Sequence, residues 1–496
     1  MKIQKSLLSI SSGKKIQIPT LMLFCIFTGV IRGTLEGLLF DNNALGTALI
    51  LSYVPFYTMM FLAILLILKY AGGLTEASVY RVPLAALFLG IFPPIIDLIL
   101  RGGTSQDIRY GYYLELFLPQ KIPSGLYFYY MPEYRLPLGE TIIVWATISL
   151  TAFYARMRRA AWGRVVFVFA CAYLLFFAHS YLIPSMLRLW ISNSDQNLYN
   201  NDLNLIIPLM QLFFSLIIYL LLRKISIIYL LKRLPHIAPF LLVYGIGATN
   251  HPLHSILLAT FATLLFFIFF TMIVQNDFFD FEEDSKQNRK RYFQREDVAF
   301  FTSMMVFSLV FLLAGGFTLS LFLSIILICG VLYSFPFYRG KGKIFPTMKF
   351  EGIWGSMSFL AGAIPFSSSK IQSKVLLQFL IVFLGWSLFA LLKDVKDIRA
   401  DYQAGQNSFY IAFYRKKKKL KNAHRLLIVI CTLGLLLAPI FYIIQGRVFG
   451  SVLLLFFASS FAGIAFCVKL RFKFQGLLIA INGYLFMLLL IALKIL

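Results

Sequence analysis

The chain has 496 residues, 59% of them hydrophobic and only 14% charged. Soluble domains are nearer half apolar with about a quarter charged, so a soluble globular protein is excluded. The excess of 46 basic over 21 acidic residues, +25, is therefore read as loop charge on the cytoplasmic side of a membrane protein and not as a nucleic-acid footprint.

Met1 to Pro19 is basic and free of acids, and runs into a long apolar stretch without a small-residue cleavage site; it reads as a cytoplasmic leader. Six apolar runs follow, near 19–40, 45–70, 82–100, 139–155, 163–184 and 203–222. Nine more lie near 236–250, 254–275, 299–315, 317–337, 350–366, 373–392, 424–443, 447–468 and 475–494, the first of them short. About 20 apolar residues cross a hydrocarbon core of about 30 Å, so these runs predict fifteen transmembrane helices and an all-α integral membrane fold.

Charge tests this count. With the N-terminus cytoplasmic, loops after even-numbered spans should be basic. They carry Arg156, Arg158 and Arg159; Arg223, Lys224, Lys232 and Arg233; Lys286, Arg289, Lys290 and Arg291; Arg339, Lys341 and Lys343; Arg415–Lys419; and Lys469, Arg471 and Lys473. Opposite loops such as Asp41–Asn43 and Ser192–Asp202 are poor in base, and the outer loop 101–138 is mixed in charge and rich in Tyr and Pro. The basic stretch 223–235 divides the chain into two membrane modules, 1–225 and 226–496. Cys25, Cys171, Cys329, Cys431 and Cys467 all sit in apolar runs with no CxxC pair, which argues against disulfides or zinc.

Two polar segments stand out in the second module. Asn276-Asp277-Phe278-Phe279-Asp280-Phe281-Glu282-Glu283-Asp284 and Lys393-Asp394-Val395-Lys396-Asp397-Ile398-Arg399-Ala400-Asp401 each close a span on the basic side. Both fit xDxxDxxxD, 117 residues apart. On a helix, Asp394, Asp397 and Asp401 fall within about 60°, and Asn276, Asp280 and Asp284 within about 80°. Carboxylates gathered on one face repel unless a cation joins them, and hard oxygen ligands suit Mg²⁺ shared with substrate phosphates. Acids near membrane depth are costly and point to function. A third segment, Tyr333-Ser334-Phe335-Pro336-Phe337-Tyr338-Arg339-Gly340-Lys341, ends a span on the same side and turns basic, as phosphate recognition requires.

These residues resemble the UbiA superfamily of intramembrane prenyltransferases. NDFFDFEEDSKQNR is similar to its first motif, NDxxDxxxDxxxN(K/R); KDVKDIRADYQAG to its second, KDxxDxxxDxxxG; and Tyr333–Lys341 to the YSxPPxRxK segment between them. The resemblance covers roughly 230–496 and implies a nine-helix bundle preceded by a six-helix module. It implies that Asn276, Asp280, Asp284, Asp397 and Asp401 hold Mg²⁺ and a diphosphate, with Asp277 and Asp394 as supporting ligands. Arg339 and Lys341 would neutralise the leaving diphosphate, Arg289 and Lys290 would assist, and Tyr333 would line the pocket. The implied partners are a polyprenyl diphosphate, a lipophilic acceptor such as an aromatic quinone precursor, and membrane lipids; no nucleic acid is involved. The implied location is the cell membrane, with the Asp motifs cytoplasmic.

The family's Pro-rich stretch after the first motif is here Lys290–Gln294, and its second YSxPP proline is Phe337, which leaves the acceptor open. Relatives that transfer phosphoribose to a polyprenyl phosphate carry His-Pro near the position of Gln287-Asn288, and a transporter or scaffold retaining the diphosphate site is the non-enzymatic alternative. In the first module, Arg32 and Glu36 are spaced to pair with each other, and Asp97 and His179 lie in or near other spans. Tyr53 to Leu100 faintly resembles Yip1-like membrane domains, and the module reads as one for packing, regulation or partner docking.

Overall fold

The computed structural model describes residues 18–39, 46–75, 79–100, 138–177, 196–225, 227–249, 255–281, 293–314, 319–335, 344–364 and 373–393, with scattered positions between 411 and 492. Every element among them is an α-helix. They are α1 (Ile18–Leu39), α2 (Gly46–Tyr70), α3 (Arg81–Leu89), α4 (Pro93–Leu100), α5 (Leu138–Met157), α6 (Trp162–Phe177) and α7 (Gln196–Leu222), then α8 (Ile227–Ala248), α9 (Ser255–Phe279), α10 (Arg295–Ala314), α11 (Leu319–Ser334), α12 (Ile344–Ala363) and α13 (Ser373–Lys393).

The helices form two compact units, Met1–Ser226 and Ile227–Leu496. The stretches Tyr53–Tyr70, Leu258–Phe279 and Arg295–Leu313 are each long and apolar enough to cross a bilayer, and the α3–α4 pair makes a fourth candidate. Leu23, Phe27, Phe153 and Phe167 point outward, as lipid contact allows and water does not. The chain is a multi-pass membrane protein. The three C-terminal runs near 424–443, 447–468 and 475–494 lie largely outside the described residues.

In the first unit α2 is central, packing against α1, α3, α5, α6 and α7. The run 82–100 is not one straight helix. It breaks by 41° between α3 and α4, where Phe92 precedes the Pro93-Pro94 pair. A residue before proline is pushed out of the helical region, and proline then opens the next helix well. The break releases the Gly90 carbonyl, which accepts hydrogen bonds from Tyr57 Oη (2.8 Å) and Arg32 Nη1 (3.2 Å).

Arg32 is 1% exposed. It pairs with Glu36 as the spacing predicts, and Glu36 also accepts from Tyr53. Beyond that pair, Arg32 Nη2 lies 3.5 Å from Glu140 Oε2 on α5. Asp97 Oδ1 accepts the Gly139 N–H at 2.7 Å, satisfying one of the orphan donors at the start of α5. A cavity of about 50 Å³ borders Arg32, Tyr57, Gly90 and Glu140. That volume suits a few waters and is far below the few hundred Å³ of an organic-ligand pocket.

In the second unit α12 packs on α8, α11 and α13, and α9 packs on α8, α10 and α11. Close backbone crossing holds α8 to α12. A Cβ on Gly247 would stand 2.2 Å from the Phe359 carbonyl oxygen, and one on Gly362 2.1 Å from that of Tyr244. Without a hydrophobic force between helices in lipid, such small-residue contacts are what dispersion needs.

The short run 236–250 is a longer helix than its apolar residues predict, because α8 starts at Ile227 and carries Lys232 and Arg233 within it. Two prolines, Pro235 and Pro239, lie inside it. Pro239 has no N–H to give the carbonyl four residues back, that of Pro235. Asn482 Nδ2 donates to that carbonyl at 3.2 Å, so the last helical segment closes the gap.

Two stability outcomes follow. Arg32→Met strands the buried Glu36 carboxylate and should destabilise the protein by about 3–5 kcal/mol, read as a lowered Tm in detergent. Asn482→Leu leaves the Pro235 carbonyl without that donor and should cost about 1–3 kcal/mol in the same measurement.

Candidate diphosphate and metal site

The site begins where α9 ends. That helix is apolar on all sides, with Phe261, Leu264, Leu265, Ile268, Phe270 and Val274 all buried. The sequence then turns polar at Asn276-Asp277, and the Asp280 N–H closes the last turn on the Asn276 carbonyl at 2.9 Å. A helix C-terminus carries about half a negative charge. Basic residues are favoured there, yet the last turn of α9 has none. Carboxylates at that end demand cations from elsewhere.

One cation comes from α8. Arg233 Nη2 lies 2.5 Å from Asp277 Oδ2, and the Tyr229 hydroxyl donates to the same oxygen. Tyr229 is buried, its ring set edge-on to Phe293 at 5.3 Å and Phe270 at 6.5 Å. Phe293 and Phe270 in turn pack on Phe301 of α10. Gln275 Nε2 donates to Thr302 Oγ1 at 2.9 Å, tying α9 to α10. The start of α10 is itself fixed, since buried Asp297 accepts the Gln294 N–H at 2.6 Å in the manner of a capping box.

Asp280 is 5% exposed. Asn276 stands one turn earlier, and its Oδ1 is buried with no hydrogen-bond partner among the described residues. A buried amide oxygen left without a donor costs about 1–3 kcal/mol unless a cation or water meets it. Oxygen donors of this kind, an amide and a carboxylate on one face, suit a hard divalent ion.

Tyr333 is buried at the end of α11, edge-on to Trp354 at 5.1 Å and to Phe350 at 6.1 Å on α12. Phe279 meets Phe335 at 5.6 Å, which brings the ends of α9 and α11 together. Asn276, Asp277, Asp280 and Tyr333 thus lie at one end of this unit. Asp284, Arg289, Lys290, Arg339, Lys341, Asp394, Asp397 and Asp401 lie outside the described residues, although α13 runs to Lys393, the residue before Asp394. Among the described residues no three acidic, His or Cys side chains gather as a metal cluster.

Sequence reasoning missed Tyr229 and read Arg233 only as positive-inside loop charge. It also missed Glu351, buried on α12 between Phe350 and Trp354, whose signal was an acid inside an apolar run.

Comparison with known proteins adds the following. No curated protein matches the chain. Two solved structures of a UbiA homolog from Archaeoglobus fulgidus, one bound to DMAPP and Mg²⁺ and one to GPP and Mg²⁺, are each 17% identical to it with a TM-score of 0.38. Each match covers 53% of this chain, and 98% and 97% of theirs. A structure of digeranylgeranylglyceryl phosphate synthase is 18% identical, covering 56% of this chain and 98% of that one at the same TM-score of 0.38. The sequence model of the UbiA prenyltransferase family matches residues 237–476. Residues 237–476, just under half of the chain, are thus a UbiA prenyltransferase family region.

Proposed function

We propose that the C-terminal unit transfers a prenyl group from a polyprenyl diphosphate to a lipophilic acceptor within the membrane, with Mg²⁺, releasing diphosphate. The acceptor class is an aromatic quinone precursor or another lipid. The observation that carries this reading is the buried Asn276 Oδ1, without a hydrogen-bond partner among the described residues and one turn from buried Asp280, inside the family-matched residues.

Asn276 and Asp280, with Asp284, Asp397 and Asp401, are the proposed ligands, and Asp394 supports them. Bound Mg²⁺ supplies charge that stabilises the leaving diphosphate as the allylic C–O bond breaks. Arg339 and Lys341 neutralise the departing oxygens, assisted by Arg289 and Lys290, since preorganised positive charge is worth most where negative charge develops. Tyr333, held by Phe350 and Trp354, forms an aromatic wall that keeps water from the allylic cation until the acceptor captures it. In this reading the site opens to the cytoplasmic side of the cell membrane, which the basic loops on that side support.

The test uses the full chain in lipid nanodiscs with a radiolabelled prenyl diphosphate and lipid extract. Asp280→Ala should lower label transfer and diphosphate release together by about 10²–10³-fold. Unchanged transfer in that variant contradicts the assignment. Donor binding without any transfer by the unmodified chain favours a scaffold, and consumption of a phosphoribosyl donor in place of the prenyl donor favours the other group-transfer chemistry.

A further inference from the structure

Asp277 belongs to the first Asp-rich motif and is held by two side chains of α8. About the α9 axis it stands about 60° from Asp280 and about 100° from Asn276, at 100° per residue. On that side lies α8. Arg233 and Tyr229 are four apart on α8 and so share a face. Their hydrogen bonds run in one direction: Arg233 Nε donates to Tyr229 Oη at 3.3 Å, and Tyr229 donates to Asp277 Oδ2. Arg233 closes the ring by reaching the same carboxylate oxygen, and its guanidinium carbon lies 5.2 Å from the Tyr229 ring centre. The Asp277 side chain is 18% exposed and that of Arg233 31%, so the pair is sheltered from solvent without being sealed.

We propose that Arg233 and Tyr229 are positioning residues for the metal-binding face of α9, and that Asp277 is their anchor and not a metal ligand. This rests on the reading of Asn276 and Asp280 as ligands. A guanidinium and a divalent ion repel each other at one carboxylate oxygen, and at short range inside protein that repulsion is severe. The anchor instead fixes the rotation of the last turn of α9. With Asp277 held on α8, Asn276 and Asp280 are fixed together on the adjoining face, about 60–100° round the axis from it. The buried contacts of Tyr229 with Phe270 and Phe293 give the anchor a rigid base. Outer partners that orient ligands typically change metal affinity 10- to 100-fold when removed.

The experiment is a Mn²⁺ titration of the detergent-purified full chain, with inorganic diphosphate present, read by electron paramagnetic resonance as both affinity and number of ions bound. Asp280→Asn should lower the number of ions; if it does not, the ligand reading itself fails, whatever becomes of the anchor. Arg233→Gln, Tyr229→Phe and Asp277→Asn should each keep the number of ions and weaken affinity, Arg233→Gln by about 10- to 100-fold. Arg233→Lys should recover part of the loss, and the double variant Arg233→Gln with Asp277→Asn should be no weaker than the worse single one. The proposal is overturned if Asp277→Asn removes an ion, or if Arg233→Gln leaves affinity unchanged. Circular dichroism of each variant separates loss of fold from loss of metal.

Discussion

The second unit depends on one electrostatic constraint: an apolar membrane helix that ends in carboxylates. Its C-terminal carbonyls already present negative potential, and Asp277 and Asp280 add to it. Acids near membrane depth are costly and are found facing the bundle interior with partners. Arg233 of α8 meets Asp277, and it reaches there because α8 continues as a helix through the basic stretch. Asn276 Oδ1, which has no hydrogen-bond partner among the described residues, and buried Asp280 lie on the adjoining face, where in the proposed function a divalent ion and the diphosphate it accompanies would bind. Charge compensation therefore links helix packing to the proposed chemistry.

The packing that permits this is set by irregularities in α8. Gly247 lets it cross α12 at backbone distance, and Pro239 leaves a carbonyl that Asn482 bonds. In water such defects would be hydrated. In lipid each must be met by another helix, so each defect specifies a neighbour. The first unit follows the same rule: the break between α3 and α4 frees the Gly90 carbonyl, and Arg32 and Tyr57 meet it. The buried charges there have structural partners, and the adjacent 50 Å³ cavity is too small for an isoprenoid chain.

Helix content and family were legible in the sequence because both rest on local signals. Apolar runs have the length of a bilayer, and the NDxxD spacing survives without any knowledge of packing. The Arg32–Glu36 pair was legible for the same reason, being four residues apart on one helix. What was not legible is long-range. Lys232 and Arg233 look like ordinary cytoplasmic anchors, and nothing nearby in sequence says that one of them reaches Asp277, 44 residues away. Glu140 is farther still from Arg32 in sequence, and Asn482 lies 247 residues from Pro235. The break in 82–100 had a local signal in Pro93-Pro94, but an apolar run of span length masked it.

The most direct measurement is anomalous diffraction from crystals of the full chain grown with Mn²⁺ and a prenyl thiolodiphosphate, whose bridging sulfur resists cleavage. The account expects an anomalous peak at about 2 Å from Asn276 Oδ1 or the Asp280 carboxylate, with the Arg233–Asp277 pair intact. A peak on Asp277 with Arg233 displaced, or no peak at the end of α9, would contradict it.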